Sequence, residues 1–240
     1  MMNIADRIKV INENIRAACQ RAGRDSKEIK LVIVTKSTTF ENIEEVIRLG
    51  FIELGENRVN QLKKVSAQVS EFLEKQDDPA APKSVNWHLI GHLQRNKVKQ
   101  VLPIVSLIHS VDSLRLAEEI NDNAASLNLC TNVLLQVNAS NEPQKYGVPV
   151  GAAMHLGEQI ATMSSIKLVG LMTMAPLTHD QEIIRTCFRR ASELFVELKG
   201  EKIVGPDFKE MSMGMSSDYE IAIEQGATIL RLGSAVFAGS

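Results

Sequence analysis

The sequence has few cysteines, few aromatic side chains and no long apolar run, and each shortage excludes a class of protein. Its three cysteines, Cys19, Cys130 and Cys187, are odd in number and far apart, which argues against a disulfide framework or a zinc site. No unbroken apolar run is longer than five residues, whereas a membrane-spanning helix needs about 20. Only one Trp, two Tyr and seven Phe are present, so aliphatic side chains must fill the core.

The sequence also lacks an excess of charge of either sign. It has 27 Lys and Arg residues against 29 Asp and Glu residues, a formal net charge of −2. A broadly basic nucleic-acid-binding protein is excluded, because no surplus of cations is available to neutralise phosphates. The first 20 residues mix charged with apolar side chains and do not have the pattern of a signal segment. We expect a soluble, cytoplasmic protein that binds neither nucleic acid nor a membrane.

Short β-branched runs alternate with longer segments that carry apolar residues at three- and four-residue spacing. Eight runs are predicted as strands: Leu31–Thr35, Phe51–Leu54, Asn86–Ile90, Leu107–Ser110, Val133–Asn138, Lys167–Met172, Lys209–Met213 and Ile229–Leu232. This count predicts an α/β fold, a single (β/α)8 TIM-type barrel with an extra N-terminal helix at Ile4–Ala22, over residues 1–240 as one domain. The alternative is an open doubly wound sheet. That fold usually has a glycine-rich turn after its first strand, and here the first strand ends in TKSTT.

In a barrel the chemistry lies at the carboxyl ends of the strands, and the first strand ends at Lys36. The two-residue period of a strand places Lys36 on the same face as Val32 and Val34. If that face points inward, Lys36 stands at the mouth of the barrel, where desolvation makes an amine nucleophilic and suited to a Schiff base. The alternative is a lysine that starts the next loop and points to solvent.

Glycine and serine follow the seventh and eighth predicted strands, in the segments SMGMSSD (212–218) and LGSA (232–235). In barrels these two loops and a helix N-terminus commonly bind a phosphate through free backbone N–H groups. The predicted phosphate site comprises Ser212, Gly214, Met215, Ser216, Gly233 and Ser234. Two ordinary capped turns are the alternative. A Schiff-base lysine beside a phosphate site suggests pyridoxal 5′-phosphate (PLP) or an aldolase reaction on a phosphorylated sugar.

Motifs along almost the whole chain carry a family resemblance. They are VTKSTT (34–39), ELGENRVNQ (53–61), WHLIGHLQRNK (87–97), IHSVDS (108–113), LLQVNASNEPQKYGV (134–148), LVGLMTM (168–174), MSMGMSSD (211–218) and LRLGSAVFAG (230–239). In these segments the sequence resembles the pyridoxal phosphate homeostasis proteins (the YggS/PROSC family), which are related to the N-terminal barrel of bacterial alanine racemases. The resemblance implies that PLP is the cofactor and that Lys36 carries it as a Schiff base.

The resemblance further implies that Arg231 faces the pyridine nitrogen of PLP. A guanidinium has only donors and stays charged, so it keeps that nitrogen unprotonated and makes the ring a poorer electron sink. The alternative role of Arg231 is a rim residue paired with a carboxylate.

Three more residues are predicted near the cofactor. Asn57 and Asn138 end the second and fifth strands, and Asn138 shares a strand face with Gln136; both amides are candidates for hydrogen bonds to the ligand, or for satisfying backbone groups instead. His88 is predicted as a pocket wall. His88 and His92 are four residues apart, but the segment is predicted as a strand, so no metal site is expected.

Two functions remain open for a PLP-binding barrel. The first is a carrier that holds, buffers or delivers PLP without turnover of its own, with PLP-dependent apoenzymes as its partners; the second is a racemase or related amino-acid enzyme. Racemases that resemble this barrel carry a second domain and a partner's tyrosine, and a two-base racemase needs an acid/base group on each face of its substrate. Lys36 can serve one face. Neither Tyr146 nor Tyr219 lies in a segment that matches the partner's tyrosine, so we expect a carrier, and we expect a monomer.

Overall fold

Eight parallel strands close into a barrel in the computed structural model, which describes residues 2–201 and 204–238. The described residues form these eight strands and one short strand outside the ring, β6: β1 (Lys30–Val34), β2 (Glu53–Glu56), β3 (Asn86–Leu89), β4 (Val105–Val111), β5 (Thr131–Asn138), β6 (Val148–Pro149), β7 (Ile166–Met172), β8 (Glu210–Ser212) and β9 (Ile229–Leu232). Their order around the sheet is β4-β3-β2-β1-β9-β8-β7-β5, and a β4–β5 pairing closes the ring. The two-residue β6 pairs with the end of β5 outside the ring. The predicted barrel is therefore confirmed, and the open doubly wound sheet is wrong.

Helices connect the strands on the outside of the barrel. They are α1 (Ile4–Arg21), α2 (Phe40–Arg48), α3 (Val59–Glu74), α4 (Val98–Val101), α5 (Leu114–Ser126), α6 (Val150–Ala161), α7 (Gln181–Gly200), α8 (Tyr219–Glu224) and α9 (Ser234–Phe237). The extra N-terminal helix α1 packs against α8 and α9, which begin at the loops after β8 and β9. Among the described residues, no helix has the length and apolar character needed to cross a membrane.

The second strand begins two residues later than the sequence predicts. Gly50 ends α2 with a left-handed φ of +88°, and the backbone N–H of Phe51 still donates to the carbonyl of Val46 at 3.2 Å. These bonds complete the C-terminal cap of α2, in which an apolar residue after the glycine packs back on the helix. Phe51 therefore belongs to the cap, and β2 runs from Glu53 to Glu56.

The alternation of side chains along the strands separates two apolar layers. Inward-facing residues form a small cluster of their own inside the barrel: Val32, Leu107, Leu134, Val169, Met172 and Ile229. The neighbouring residue Ile33 points the other way, into the main core between the barrel and its helices. Val32 therefore fixes the inward face of β1, and the strand period carries that face on to Val34 and Lys36.

Candidate functional site

A cavity of about 670 Å³ opens at the carboxyl ends of the strands. Its wall is built by the residues that directly follow several neighbouring strands, among them Lys36 after β1, Asn57 after β2 and Gly233 after β9. Because parallel strands all end at the same side of a barrel, positions distant in the sequence meet here. This is the mouth at which the sequence predicts chemistry.

Lys36 enters the cavity from the end of β1 and carries an unpaired charge. It lines the cavity together with Val34, as the inward-face prediction requires, and it forms no ion pair with any described residue. The charge of Lys36 acts on the carboxyl group of Glu56, which is fully buried and accepts a hydrogen bond from Thr35 Oγ1 at 2.5 Å. Burial raises the pKa of Glu56, although Thr35 and the charge of Lys36 oppose that rise. Lys36 is thus free to engage a ligand.

The loops after β8 and β9 place unpaired backbone donors at the adjacent wall, since β9 pairs with β1. The backbone N–H groups of Ser216, Ser217, Gly233 and Ser234 donate to no acceptor among residues 2–201 and 204–238, and all four residues line the cavity. The next amide, Ala235 N, donates to Ser216 Oγ at 3.1 Å, which ties the two loops together. Converging free N–H groups are what a phosphate group needs.

Gly214 and Asp218 hold this loop in shape from behind. Gly214 has a φ of +92°, and an added Cβ would lie 2.6 Å from the Cβ of Ala222. Its carbonyl accepts a hydrogen bond from the backbone of Arg231 at 3.0 Å. The carboxylate of Asp218 accepts from Met215 N at 2.5 Å. Met215 reaches the cavity wall, whereas Gly214 does not line it and acts on the site only through the backbone.

Arg231 lies on β9 and forms part of the cavity floor. It is buried, and its guanidinium donates to Ser212 Oγ at 2.6 Å and to the carbonyl of Thr173 at 3.0 Å. Burial lowers the pKa of Arg231 to about 10, while Asp218 opposes that shift, so the group stays charged near neutral pH. None of the described carboxylates forms an ion pair with it, which removes the alternative of a paired rim arginine.

Two of the predicted site residues lie below the cavity instead of on its wall. Ser212 is fully buried, and its hydroxyl is shared by Arg231 and His109. His88 is also buried, between His109 at 2.8 Å and Glu53 at 2.6 Å. The prediction of His88 as a wall of this cavity is therefore corrected: its ring belongs to a chain of polar groups inside the barrel, because it is held between His109 and Glu53.

The two asparagines predicted near the cofactor, Asn57 and Asn138, lie in different surroundings. Asn57 lines the cavity. Asn138 does not, because its amide nitrogen donates to the carbonyl of Glu142 at 2.9 Å and its oxygen accepts from Ser140 at 2.9 Å. Its side chain stabilises its own loop, which is the backbone-satisfying alternative. Gln136, two residues earlier on the same face, is the amide of β5 that reaches the cavity.

An aromatic pair on the cavity wall escaped the sequence reasoning. The rings of His92 and Tyr146 stack with centroids 4.4 Å apart and an interplanar angle of 17°, and both line the cavity. They come from the loops after β3 and β5, and no local pattern signals that the two loops touch. The sequence shows His92 in the motif HLIGHLQ and Tyr146 in QKYG, but the contact between the two side chains exists only in the closed barrel.

Comparisons with known proteins agree with this geometry. Residues 8–240 match the family model described as alanine racemase, N-terminal domain. A pyridoxal phosphate homeostasis protein of Aquifex aeolicus is 40% identical over 237 residues, which cover 98% of this chain and 98% of that protein. The chain belongs to the pyridoxal phosphate homeostasis protein family.

Solved structures of the same size extend the likeness. The crystal structure of an unknown protein from Bifidobacterium adolescentis has a TM-score of 0.90 and 35% identity, covering 98% of this chain and 94% of that one. PipY of Synechococcus elongatus, a structure with PLP bound, has a TM-score of 0.79 and 29% identity, covering 94% of this chain and 99% of PipY. A relative with the same barrel over nearly its full length thus holds PLP.

Proposed function

We propose that this member of the pyridoxal phosphate homeostasis family binds PLP through a Schiff base to Lys36 and holds, buffers or delivers it. The observation that carries the proposal is one cavity with an unpaired lysine amine, four unpaired backbone N–H groups and a buried guanidinium. When bound, PLP supplies two groups: an aldehyde, which condenses with an amine, and a phosphate dianion. The chemical groups of the cavity match those of the cofactor.

Each wall of the cavity has a role in this proposal. The amine of Lys36 attaches the aldehyde carbon, the loops with Met215, Ser216, Gly233 and Ser234 bind the phosphate, and Arg231 donates to the pyridine nitrogen. Asn57 is positioned for a hydrogen bond to the ring substituents. Since a charged arginine keeps the pyridine nitrogen unprotonated, the site favours retention of the cofactor over chemistry that needs a strong electron sink.

We propose that the protein transfers its bound PLP to PLP-dependent apoenzymes and that it does so in the cytoplasm. We further propose that it acts as a monomer and that residues 1–240 form one domain. The exposed position of Lys36 at the cavity mouth supports exchange, because water and an incoming amine can both reach a bond at that nitrogen. A solution mass of 26.5 kDa by light scattering is the expected result, and a mass of twice that value contradicts the monomer.

The deciding experiment compares two lysines on the same strand. Wild type, Lys36→Ala and Lys30→Ala are incubated with PLP, and their visible spectra are recorded before and after borohydride. Lys30 lies at the opposite end of β1 and outside the cavity, so it controls for loss of a β1 lysine. We expect a Schiff-base band that borohydride removes in wild type and Lys30→Ala, with the reduced adduct on the peptide that contains Lys36. A band retained in Lys36→Ala overturns the assignment, and no band in wild type overturns the cofactor.

A second candidate function, amino-acid racemisation or a related reaction, is favoured by one observation. The stacked His92 and Tyr146 bring two titratable side chains to the cavity, and a two-base mechanism needs a proton donor or acceptor other than Lys36. Incubation of the PLP-loaded protein with L- and D-alanine in deuterated water separates the functions. We expect no incorporation of deuterium at the α-carbon above the PLP control; incorporation that is lost in Tyr146→Phe or His92→Gln identifies an enzyme.

A further inference from the structure

A chain of buried polar side chains runs along the barrel axis from the cavity floor to the opposite mouth. From Arg231 the contacts lead to Ser212 Oγ at 2.6 Å, to His109 Nδ1 at 2.9 Å, to His88 Nδ1 at 2.8 Å and to Glu53 Oε2 at 2.6 Å. Both histidines, the serine and the arginine are at most 4% exposed. Only Glu53, with 23% of its side chain exposed, reaches solvent. This series of polar side chains therefore has one solvent-exposed end, at Glu53, and one end at the proposed cofactor site.

The chemistry of the two ends fixes the direction of every hydrogen bond between them. Arginine has only donors, so Arg231 must donate to Ser212. The hydroxyl hydrogen of Ser212 then finds its acceptor in His109 Nδ1. His109 must carry its hydrogen on Nε2 and donate to His88 Nδ1, and His88 donates from Nε2 to the carboxylate of Glu53. One arrangement of hydrogens, with both imidazoles neutral, satisfies all four contacts.

The surroundings support this neutral arrangement. Complete burial, reinforced by the nearby His88, Arg231 and Lys30, lowers the pKa of His109 well below 6.5. Burial opposes ionisation of Glu53, but hydrogen bonds from His88 and Asn86 outweigh it and lower its pKa. A second carboxylate at this mouth, Glu210, is paired with Lys30 at 3.4 Å.

Proton uptake at the solvent-exposed end, beside Glu53, would reverse the direction of the hydrogen bonds in this series. A proton added to the imidazole of His88 makes its Nδ1 a donor, so His109 Nε2 must become an acceptor. The hydrogen of His109 then moves to Nδ1 and points at Ser212. Ser212 receives hydrogen bonds from both sides and loses the acceptor for its own hydroxyl hydrogen. Protonation at one mouth therefore changes the group that holds Arg231 at the other.

We propose that Glu53, His88, His109 and Ser212 form a relay that positions Arg231 and couples the cavity floor to proton uptake at the amino-terminal mouth of the barrel. These four are positioning residues, since none of them lines the cavity around Lys36. The lysine and carboxylate groups that face this relay are Lys30 from β1, Lys167 from β7, and Asp207, Lys209 and Glu210 from β8 and the segment before it. The effect on PLP rests on the proposed function, whereas the relay itself is testable without any ligand.

The first test reads the hydrogens directly, on the full chain without added ligand. The imidazole nitrogens are labelled with ¹⁵N, and side-chain NMR follows the tautomers of both histidines during acidification from pH 8. We expect both hydrogens on Nε2 at pH 8, and a move of the His109 hydrogen to Nδ1 when His88 takes up a proton. In Glu53→Gln this move is displaced downward by about one pH unit or more, because the anion that stabilises the charged imidazole is gone.

Asp207→Asn is the matched control, since it removes the same charge at the same mouth outside the relay. Asp207 pairs with Lys167 at 3.1 Å, and we expect its variant to titrate like wild type. His109 with its hydrogen on Nδ1 at pH 8 overturns the relay, as do superimposable titrations of the two variants. If Glu53→Gln does not fold, His88→Gln gives the same decision: His109 must then keep its pH 8 tautomer over the whole range.

The second test measures the coupling to the ligand. The dissociation constant of PLP is measured from pH 8 to pH 6 in Glu53→Gln and Asp207→Asn, so that titration of PLP itself and of Lys36 cancels in the comparison. We expect profiles displaced from each other by the same pH interval as the tautomer change, with affinities that differ by about threefold or more at the midpoint. Superimposable profiles overturn the coupling. Failure of wild type to bind PLP at any pH contradicts the proposed function and leaves the NMR result to decide the relay.

Discussion

The two mouths of the barrel hold their cations in opposite ways. At the amino-terminal mouth Lys30 pairs with Glu210 at 3.4 Å, and Lys167 pairs with Asp207 at 3.1 Å. At the carboxyl-terminal mouth Lys36 and Arg231 have no carboxylate partner among the described residues. Lys30 begins β1 and Lys36 follows its other end, so strand identity alone does not explain the difference.

The difference shows how one barrel separates stability from binding. A paired surface cation contributes at most modestly to stability and has little remaining attraction for an anion. The buried, unpaired guanidinium of Arg231 has an electrostatic cost that an anionic ligand relieves, and the exposed amine of Lys36 has no carboxylate that competes with a ligand for it. In barrels generally, the carboxyl-terminal mouth carries chemistry and the other mouth stability, and this molecule follows that division through the pairing of its charges.

The largest expected effect concerns the loop that shapes the carboxyl-terminal mouth. Gly214→Ala places a Cβ 2.6 Å from Ala222 at a φ of +92°, and we expect a loss of about 3 kcal/mol in the free energy of unfolding. Gly205→Ala is the control near the other mouth, since a Cβ there meets nothing within 4 Å. Urea unfolding measures both. Equal stabilities of the two variants would contradict the role of Gly214.

The next effect is on the affinity for PLP. Arg231→Gln removes a charged donor from the cavity floor, and we expect the dissociation constant to rise by about 10- to 100-fold, since charge-assisted hydrogen bonds contribute about 1.5–3 kcal/mol. Lys30→Gln, at the opposite mouth, should change it by less than about twofold, a difference far below one charged hydrogen bond. Equilibrium dialysis against PLP measures both constants. Similar losses in the two variants would show that the mouths do not differ as described.

A smaller effect, on pH dependence, arises between the two mouths. Burial keeps the pKa of His109 well below 6.5 in the folded chain, so on acidification the unfolded chain takes up a proton that the folded chain does not. The free energy of unfolding therefore falls below pH 6.5, by up to about 1.4 kcal/mol per pH unit from this residue, and is regained above it. His109→Gln should remove that part of the slope in chemical denaturation between pH 7 and pH 5.5. An unchanged slope would show that His109 is protonated in the folded protein.

The smallest effect is expected from the paired mouth. Lys30 and Glu210 lie 3.4 Å apart with 36% and 16% of their side chains exposed, and breaking such a pair typically costs about 0.2–1 kcal/mol. Lys30→Gln should therefore lower the free energy of unfolding by less than about 1 kcal/mol, and less again in high salt. A loss as large as that of Gly214→Ala would mean that the amino-terminal mouth is the structural weak point.

The strand period predicted much of the carboxyl-terminal mouth. It placed Val32, Val34 and Lys36 on one face, and glycine and serine after β8 and β9 indicated the second wall. It was wrong about the start of β2, because an apolar residue that completes a helix cap has the same local pattern as the first residue of a strand.

The period did not predict which inward polar residues reach the cavity. Ser212 and His88 both face the barrel interior, and each bonds to other interior groups below the cavity floor. Asn138 shares its face with Gln136 but turns into its own loop. Tyr146 and His92 lie on separate loops, so their stacking depends on closure of the barrel.

The sequence by itself determined the alternation of strands and helices, the inward face of β1 and the residues at the strand ends, because these follow from local periodicity and backbone chemistry. Only the tertiary structure decided the height of each side chain along the barrel axis, since that depends on the relative shift of neighbouring strands as the sheet closes. That height makes Lys36 a wall of the cavity and His88 a link in a buried chain. The two-residue period of a strand specifies whether a side chain points into or out of the barrel, and closure of the sheet specifies its height along the barrel axis.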